Sequence, residues 1–238
     1  MIRKLTLALL LTFPTMAVAI DLEGFYITAK GGASKPMDAG VTSFLTQSSH
    51  VPLSEDNDLS SGTAFGFSVG KYLTDNFRLE IEALRRTGYD FKGGDVRGPD
   101  TGDVTADIQT TSLFINGFYD FQPFTMSNTA ITPYLGGGVG ISRNKMKTTV
   151  QHDNGIPDSA TFDGNTINQF AYKLSAGTLV SLTERLSLDV NYQYVNLGAF
   201  KGGTVFSRNG VFSGNFQRGM NGGDIKTQEL MVGLQYKF

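Results

Sequence analysis

Hydrophobic and polar residues alternate along most of this chain with a period of two. Over the final nine residues, Leu230, Val232, Leu234, Tyr236 and Phe238 make one face, and Met231, Gly233, Gln235 and Lys237 make the other. Strict alternation of that length predicts a strand with one greasy and one wet side. Seven earlier segments repeat it. Their apolar faces read Phe25, Ile27, Ala29, then Phe65, Phe67, Val69, then Phe77, Leu79, Ile81, Ala83, then Leu113, Ile115, Gly117, Tyr119. A weaker, glycine-rich fifth segment offers Leu135, Val139 and Ile141. The sixth gives Phe170, Tyr172, Leu174, Ala176, Val180, and the seventh Leu188, Val190, Tyr192, Tyr194. None of these positions is charged.

The opposite faces differ in kind. They carry Thr28, Lys30, Ser68, Arg78, Glu80, Glu82, Arg86, Ser112, Asn116, Lys173, Asp189, Asn191, Gln193 and Glu229, with many glycines between them. Strands of about ten residues, apolar on one side and polar or glycine on the other, are the pattern of a transmembrane barrel. Connections alternate in length. Leu73–Asn76 and Ser181–Arg185 are tight turns, and Gln122–Ile131 is a moderate one broken by Pro123. Four polar stretches, 34–62, 88–104, 145–166 and 197–225, read as long loops, which compact soluble domains seldom contain.

Period two alone does not say which face points inward, because a soluble lipocalin-like barrel has the same period with apolar residues inside. Three features choose the phase. The glycine-heavy face suits a narrow interior. Lys30, Glu80, Glu82, Lys173, Asp189 and Glu229 sit mid-strand and meet partners only in an enclosed space. Phe77, Tyr119, Phe121, Tyr194, Tyr236 and Phe238 gather near strand ends, where aromatic girdles meet the two membrane interfaces. The expected fold is therefore all-β: an eight-stranded antiparallel up-and-down transmembrane β-barrel with short periplasmic turns and four long extracellular loops.

Bulk composition narrows the picture further. The 238 residues contain no Cys and no Trp, which removes disulfides and thiolate metal sites. No apolar run reaches the roughly 20 residues of a spanning helix. Arg3 and Lys4, the apolar run Leu5–Phe13 and Ala17-Val18-Ala19 have the three parts of a secretory signal. Residues 1–19 are thus expected to be removed, leaving 20–238 as the barrel domain. The mature chain then carries 18 basic and 22 acidic side chains, a balance that does not point to nucleic acid.

The terminal Gly233-Leu234-Gln235-Tyr236-Lys237-Phe238, the strand Leu188–Tyr194, the strand Ser112–Phe121 and the run Pro133–Gly140 carry a family resemblance. The chain resembles the small outer-membrane β-barrels of Gram-negative bacteria, the OmpA, OmpX and opacity-like surface antigens. That resemblance implies a location in the cell outer membrane, among lipid and lipopolysaccharide. It also implies that Tyr236 and Phe238 form the signal read by the outer-membrane assembly machinery. It does not extend to the peptidoglycan-binding domain of full-length OmpA, so no cell-wall anchoring is expected. The loops are longer than in the smallest members, which leaves the host or envelope partner open.

Candidate chemistry centres on the inward charges Lys30, Arg78, Glu80, Glu82, Arg86, Lys173, Asp189 and Glu229. An unpaired charge in a narrow barrel is costly, so the cations should find the carboxylates. Lys30 and Glu229, on the first and last strands, are expected to pair across the seam. Two readings of the network stay open: a polar plug, or the lining of a narrow solute channel. The only histidines, His50 and His152, lie in expected loops, and no G-x-S-x-G nucleophile motif occurs. Glu55-Asp56-Asn57-Asp58 and Asp100-Thr101-Gly102-Asp103 lack EF-hand spacing. No enzyme, cofactor or metal site is expected. Recognition is expected of the long loops, where Phe44, Leu45, Val205, Phe206, Val211, Phe212 and Phe216 are apolar. The functional expectation is an adhesin or surface antigen, with the porin-like channel as alternative.

Overall fold

A computed structural model describes residues 22–37, 44–45, 50–51, 58–94, 102–153, 159–215 and 221–238. The expected signal segment 1–19, the residues Glu55, Asp56, Asn57, Asp100 and Thr101 of the two oxygen-rich loop clusters, and the loop residue Phe216 lie outside them. For Phe44, Leu45, His50, Asp58, Asp103, His152 and Phe206 the backbone is described but the side chain is not.

Eight strands form the wall: β1 (Phe25–Pro36), β2 (Gly62–Tyr72), β3 (Phe77–Gly94), β4 (Gly102–Asp120), β5 (Thr129–Met146), β6 (Asn165–Ser181), β7 (Leu186–Lys201) and β8 (Asn221–Lys237). Each pairs antiparallel with the next, and β1 pairs antiparallel with β8, so the sheet closes. One hydrogen-bonded row shows the geometry of closure. Arg143 pairs with Thr111, then Arg85, Phe65, Gly31, Val232, Val190 and Thr178 follow, and the row returns to β5 at Pro133. The return point is residue 133 rather than 143, a shear of ten residues. Eight strands at that shear, with ordinary strand spacing and rise, tilt by about 40°.

Two of the turns share one design. In Leu73-Thr74-Asp75-Asn76 the Thr74 hydroxyl accepts from the amides of Asn76 and Phe77 at 3.3 and 3.0 Å. In Leu182-Thr183-Glu184-Arg185, Thr183 does the same for Arg185 and Leu186, at 3.3 and 3.0 Å. A threonine that satisfies two turn amides is a local instruction written twice. The third connection, expected as a moderate turn broken by Pro123, contains a strand of its own. Phe124–Met126 folds back on β5 as a small hairpin, reversed at Ser127 and Asn128 with φ of 49° and 65°. Two positive φ values in a two-residue reversal match the twist of a hairpin.

At the other end the strands run much further than the expected ten or so residues. β3 is 18 residues long and β4 is 19, so much of the stretch 88–104 is wall rather than loop. The stretch 145–166 also contains strands, Thr149–Asp153 and Ser159–Phe162. The first pairs with the top of β4, and the second with Val205–Arg208, which in turn pairs with Val211–Asn215. The result is a ribbon of sheet rising from β4. Its last hairpin turns at Asn209-Gly210, with φ of 50° and 77°. Asn-Gly is the commonest sequence for that two-residue reversal.

Alternation places the apolar faces on the outside. Phe67, Ile81, Ile115, Ile141, Phe170, Leu174 and Leu230 are all exposed, although they are among the most hydrophobic residues of the chain. From Ile131 to Ile141 on β5, or Phe170 to Val180 on β6, this belt spans ten residues of rise, roughly 25 Å along the axis after tilt. The inside changes character with height. Next to the turns it is polar and aromatic, in the middle it is charged, and towards the long connections it becomes an ordinary apolar core. That core contains Phe91, Ile108, Met146, Val195, Leu197, Phe200 and Ile225, each fully buried. At the same height the outward residues are polar, for example Thr105 and Gln109. The barrel is therefore two barrels stacked on one wall, inside-out below and conventional above.

Two bulges make the upper core. On β3, Thr87 and Gly88 oppose the single residue Gln109 between the pairs Arg86–Thr110 and Tyr89–Ile108. On β7, Leu197 and Gly198 oppose Ile225 between Asn196–Lys226 and Ala199–Asp224. Each extra residue shifts the inward parity by one. Tyr89, Phe91 and Phe200 then point in, where an unbroken alternation would send them out. Gly88 and Gly198 supply the positive φ, 87° and 68°, at the two bulges.

Candidate functional site

The interior is built in three polar layers beneath the apolar core. Nearest the turns, Arg78 on β3 donates from Nε to Asp120 at 3.0 Å and from Nη1 to the Tyr26 hydroxyl at 3.3 Å. Its guanidinium carbon lies 4.4, 4.6 and 5.6 Å from the ring centres of Phe118, Tyr134 and Tyr26. The cation is thus caged by π faces as well as paired. Three inward glycines give the rings their room. A Cβ on Gly70 or Gly136 would sit 2.2 Å from Tyr26 or Phe118, and one on Gly177 would sit 2.6 Å from Tyr134. Tyr134 donates its hydroxyl to Asp189 at 2.6 Å, and Asn191 donates to the other oxygen of Asp189 at 3.4 Å.

In the middle layer, Lys30 from β1 and Lys173 from β6 meet across the lumen on the two oxygens of Glu82. Lys30 also lies 3.5 Å from Glu80, which accepts from Asn116 at 3.2 Å. Lys173 donates to Gln193 at 3.4 Å. Above them, Glu229 on β8 accepts from Arg86 Nε and Nη2 at 2.5 and 3.1 Å, a two-point grip. Gln193 at 2.6 Å, Ser34 at 2.6 Å and Thr227 at 3.0 Å also donate to Glu229, and Arg86 Nη1 donates to Ser112 at 2.8 Å. Tyr89, turned inward by the first bulge, closes the layer with a hydroxyl contact to Ser34.

All eight charged side chains picked from the sequence lie in the interior and are buried. Their partners differ from the expectation in one respect. Lys30 and Glu229 do not pair across the seam. Glu229 is in register with Ser34, and Lys30 with Gly233 four residues away. Lys30 therefore reaches Glu82 across the lumen, and Glu229 takes Arg86 from β3. Sequence reasoning also passed over Asp120, the ion-pair partner of Arg78. Its signal was parity, since Asp120 continues the inward series Ser112, Asn116. Lys237, read as part of the polar interior, is exposed at the turn-end mouth, with its ammonium 4.8 Å from the Tyr72 ring centre.

The upper core was missed because 88–104 and 197–225 read as loops. Ala106 and Ile108 alternating with Thr105, Asp107 and Gln109 is the same period with its polarity reversed, and that signal was present in the sequence. Bonds from β5 and from within β7 fix the second bulge beneath it. Asn144 on β5 donates to the carbonyls of Leu197 and Ala199 at 2.9 and 2.8 Å, and Asn196 accepts from the Gly198 amide at 2.8 Å. At the turn end a vestibule of about 900 Å³ opens between Tyr72, Asp120, Leu179 and Gln235. The charged layers and the apolar core lie above it.

The outer wall has its own polar edge. Immediately above the apolar belt, Lys35, Arg85, Arg143, Lys145 and Lys226 point outward and are exposed. Arg85 donates to Gln109 at 3.0 Å. Aromatic residues mark the belt's limits. Tyr119–Phe121 and Tyr236–Phe238 form edge-to-face pairs at 5.3 Å near the turns, and Tyr172 packs between Phe170 and Tyr194 near the upper edge.

Comparison with known proteins agrees with this architecture. Outer membrane protein PagN of Salmonella typhimurium is 29% identical over 193 residues, covering 76% of this chain and 78% of PagN. A putative adhesin of Rickettsia bellii is 28% identical over 184 residues, covering 75% of this chain and 77% of the adhesin. Among solved structures, Neisserial surface protein A aligns over 91% of this chain and 98% of its own, with a TM-score of 0.52 at 17% identity, a likeness of fold alone. The family model for the outer membrane protein beta-barrel domain matches residues 5–238. A closed wall, an apolar belt as tall as a bilayer core and aromatic girdles are what that family requires, and this chain, an integral β-barrel of the bacterial outer membrane, belongs to it.

Proposed function

We propose that this barrel is an adhesin-type surface protein that displays a recognition ribbon outside the cell and performs no chemistry of its own. The observation that carries this reading is the terminal hairpin of the ribbon. Val211 and Phe212 are 68% and 64% exposed at its turn, and among the described residues nothing pairs with the outer edge of Val211–Asn215. An exposed apolar edge strand held on a rigid wall suits a partner that adds to it. The putative adhesin among the relatives supports the same reading. The test is binding of intact cells to cultured host cells. Val211→Ser with Phe212→Ser should bring binding down to that of cells lacking the protein, at unchanged surface abundance. Undiminished binding overturns the assignment.

The interior favours a closed barrel over the solute channel. Its charges are ion-paired or, at Asp189, hydrogen-bonded by Tyr134 and Asn191, and an apolar core lies between them and the outside. Eight-stranded barrels leave an interior just wide enough for side chains. Planar-bilayer recordings should show no steady unitary conductance, and a stable open level would restore the channel reading. The proposal extends to the route by which the chain reaches its membrane. Cleavage after Ala19 gives a mature N-terminus at Ile20, which intact-mass measurement checks. Tyr236 and Phe238 serve as the assembly signal, and lipopolysaccharide is the lipid partner on the outer side.

A further inference from the structure

The lipid-facing wall carries a groove that the protein itself does not fill. It has a volume of about 600 Å³ and lies where β1, β2 and β8 meet. Ala29 and Gly31 form its floor, Phe65 and Phe67 one bank, and Val232 and Leu234 the other. Packing does not demand the glycine in that floor. A Cβ built on Gly31 meets nothing closer than 3.6 Å, whereas many of the inward glycines admit none. Phe65 and Phe67 stand 51% and 65% exposed beside it, so the banks are tall.

The groove has a charged upper end. Arg85 is in direct register with Phe65 on the neighbouring strand, and Lys35 lies four residues along β1 from Gly31. Both point outward, with Thr63 between them at the top of the belt. The barrel's shear makes the row Gly31–Phe65–Arg85 climb, so the groove rises toward these three residues rather than along β1 alone. An apolar slot below two cations at the polar boundary has the shape of a lipid with acyl chains and phosphate.

We propose that this groove is a binding site for one phosphorylated, multiply acylated glycolipid of the outer leaflet, the lipid anchor of lipopolysaccharide. One acyl chain lies between Phe65/Phe67 and Val232/Leu234, and phosphate is held by Arg85 and Lys35. The inference rests on the lipopolysaccharide partnership proposed above and assigns it a place on the wall. Charge selects this occupant over a zwitterionic phospholipid, which has no net charge for the two cations to meet. A second barrel is a poor fit, since the ten residues lining the slot fall short of the roughly 20–30 a side that a specific protein interface takes.

Native mass spectrometry of the full mature barrel, released from mild detergent after titration with diphosphoryl lipid A, monophosphoryl lipid A or phosphatidylethanolamine, tests this. The wild type should retain one diphosphoryl lipid A and prefer it to both alternatives. Arg85→Ala and Lys35→Ala should each weaken retention about fivefold, and together about thirtyfold, from the worth of one cation near an anionic lipid surface. Gly31→Phe should fill the slot and abolish retention with an unchanged thermal midpoint. If that variant fails to fold, the two charge variants decide alone. Equal retention across the charge variants, equal retention of phosphatidylethanolamine, or a dimer lost in Gly31→Phe each overturns the site. Failure of the adhesin reading appears separately, as cell binding that ignores Val211 and Phe212.

Discussion

Glu229 gathers five donors from four strands into one carboxylate, and it is the residue on which the interior most depends. Glu229→Ala strands the buried Arg86 guanidinium and should cost about 3–5 kcal/mol. Glu184→Ala, at an exposed turn, should stay within about 0.5 kcal/mol. Urea unfolding of both variants in one detergent checks the contrast, and equal midpoints contradict it. Gly136→Ala tests the Arg78 cage from the steric side. A methyl group 2.2 Å from the Phe118 ring forces the ring to move, at about 1–3 kcal/mol. Parity in the sequence was enough to say that these charges face inward. Who pairs with whom was not legible, because the stagger between β1 and β8 is a property of the closed wall. It separates Lys30 from Glu229 by four residues and hands each to a strand across the lumen.

Among the elements, the two glycine bulges determine where the membrane barrel ends and the upper barrel begins. Gly88→Ala meets only the Gly62 Cα at 3.4 Å, so its cost is backbone strain at φ 87°, about 1–2 kcal/mol. Its signature should be local. Amide hydrogen exchange should quicken for Tyr89–Gly94 and for the facing residues of β4, while belt amides such as those of Ile81 and Ile115 keep their protection. Uniform loss of protection along the whole of β3 would argue against two separable halves. The belt segments of the strands were legible because lipid enforces strict alternation there. The bulges were not, since an alternation count has no place for an extra residue. Their glycines sit in stretches that read as loop. The ribbon strands were hidden for a related reason: they owe their existence to pairing with β4 and with one another.

At the scale of the whole molecule, one wall presents opposite polarity to its two surroundings. Ile115→Arg places a cation on the outer face near the middle of the belt and should cost about 2–4 kcal/mol. Thr105→Arg, on the same face of the same strand above the belt, should cost under about 1 kcal/mol. Refolding into lipid bilayers with a urea titration measures both, and equal penalties would remove the stacked-barrel description. Closure of the wall has a further consequence, in time. β1 and β8 are joined along a ladder from Tyr26–Lys237 to Pro36–Thr227, so the start of the wall cannot complete its pairing until its last strand has been made and delivered. Contacts so distant in sequence make closure slow. Ser34 and Arg86 can reach Glu229 only once that ladder is zipped, so the Glu229 cluster locks last, as a clasp that reports a finished barrel.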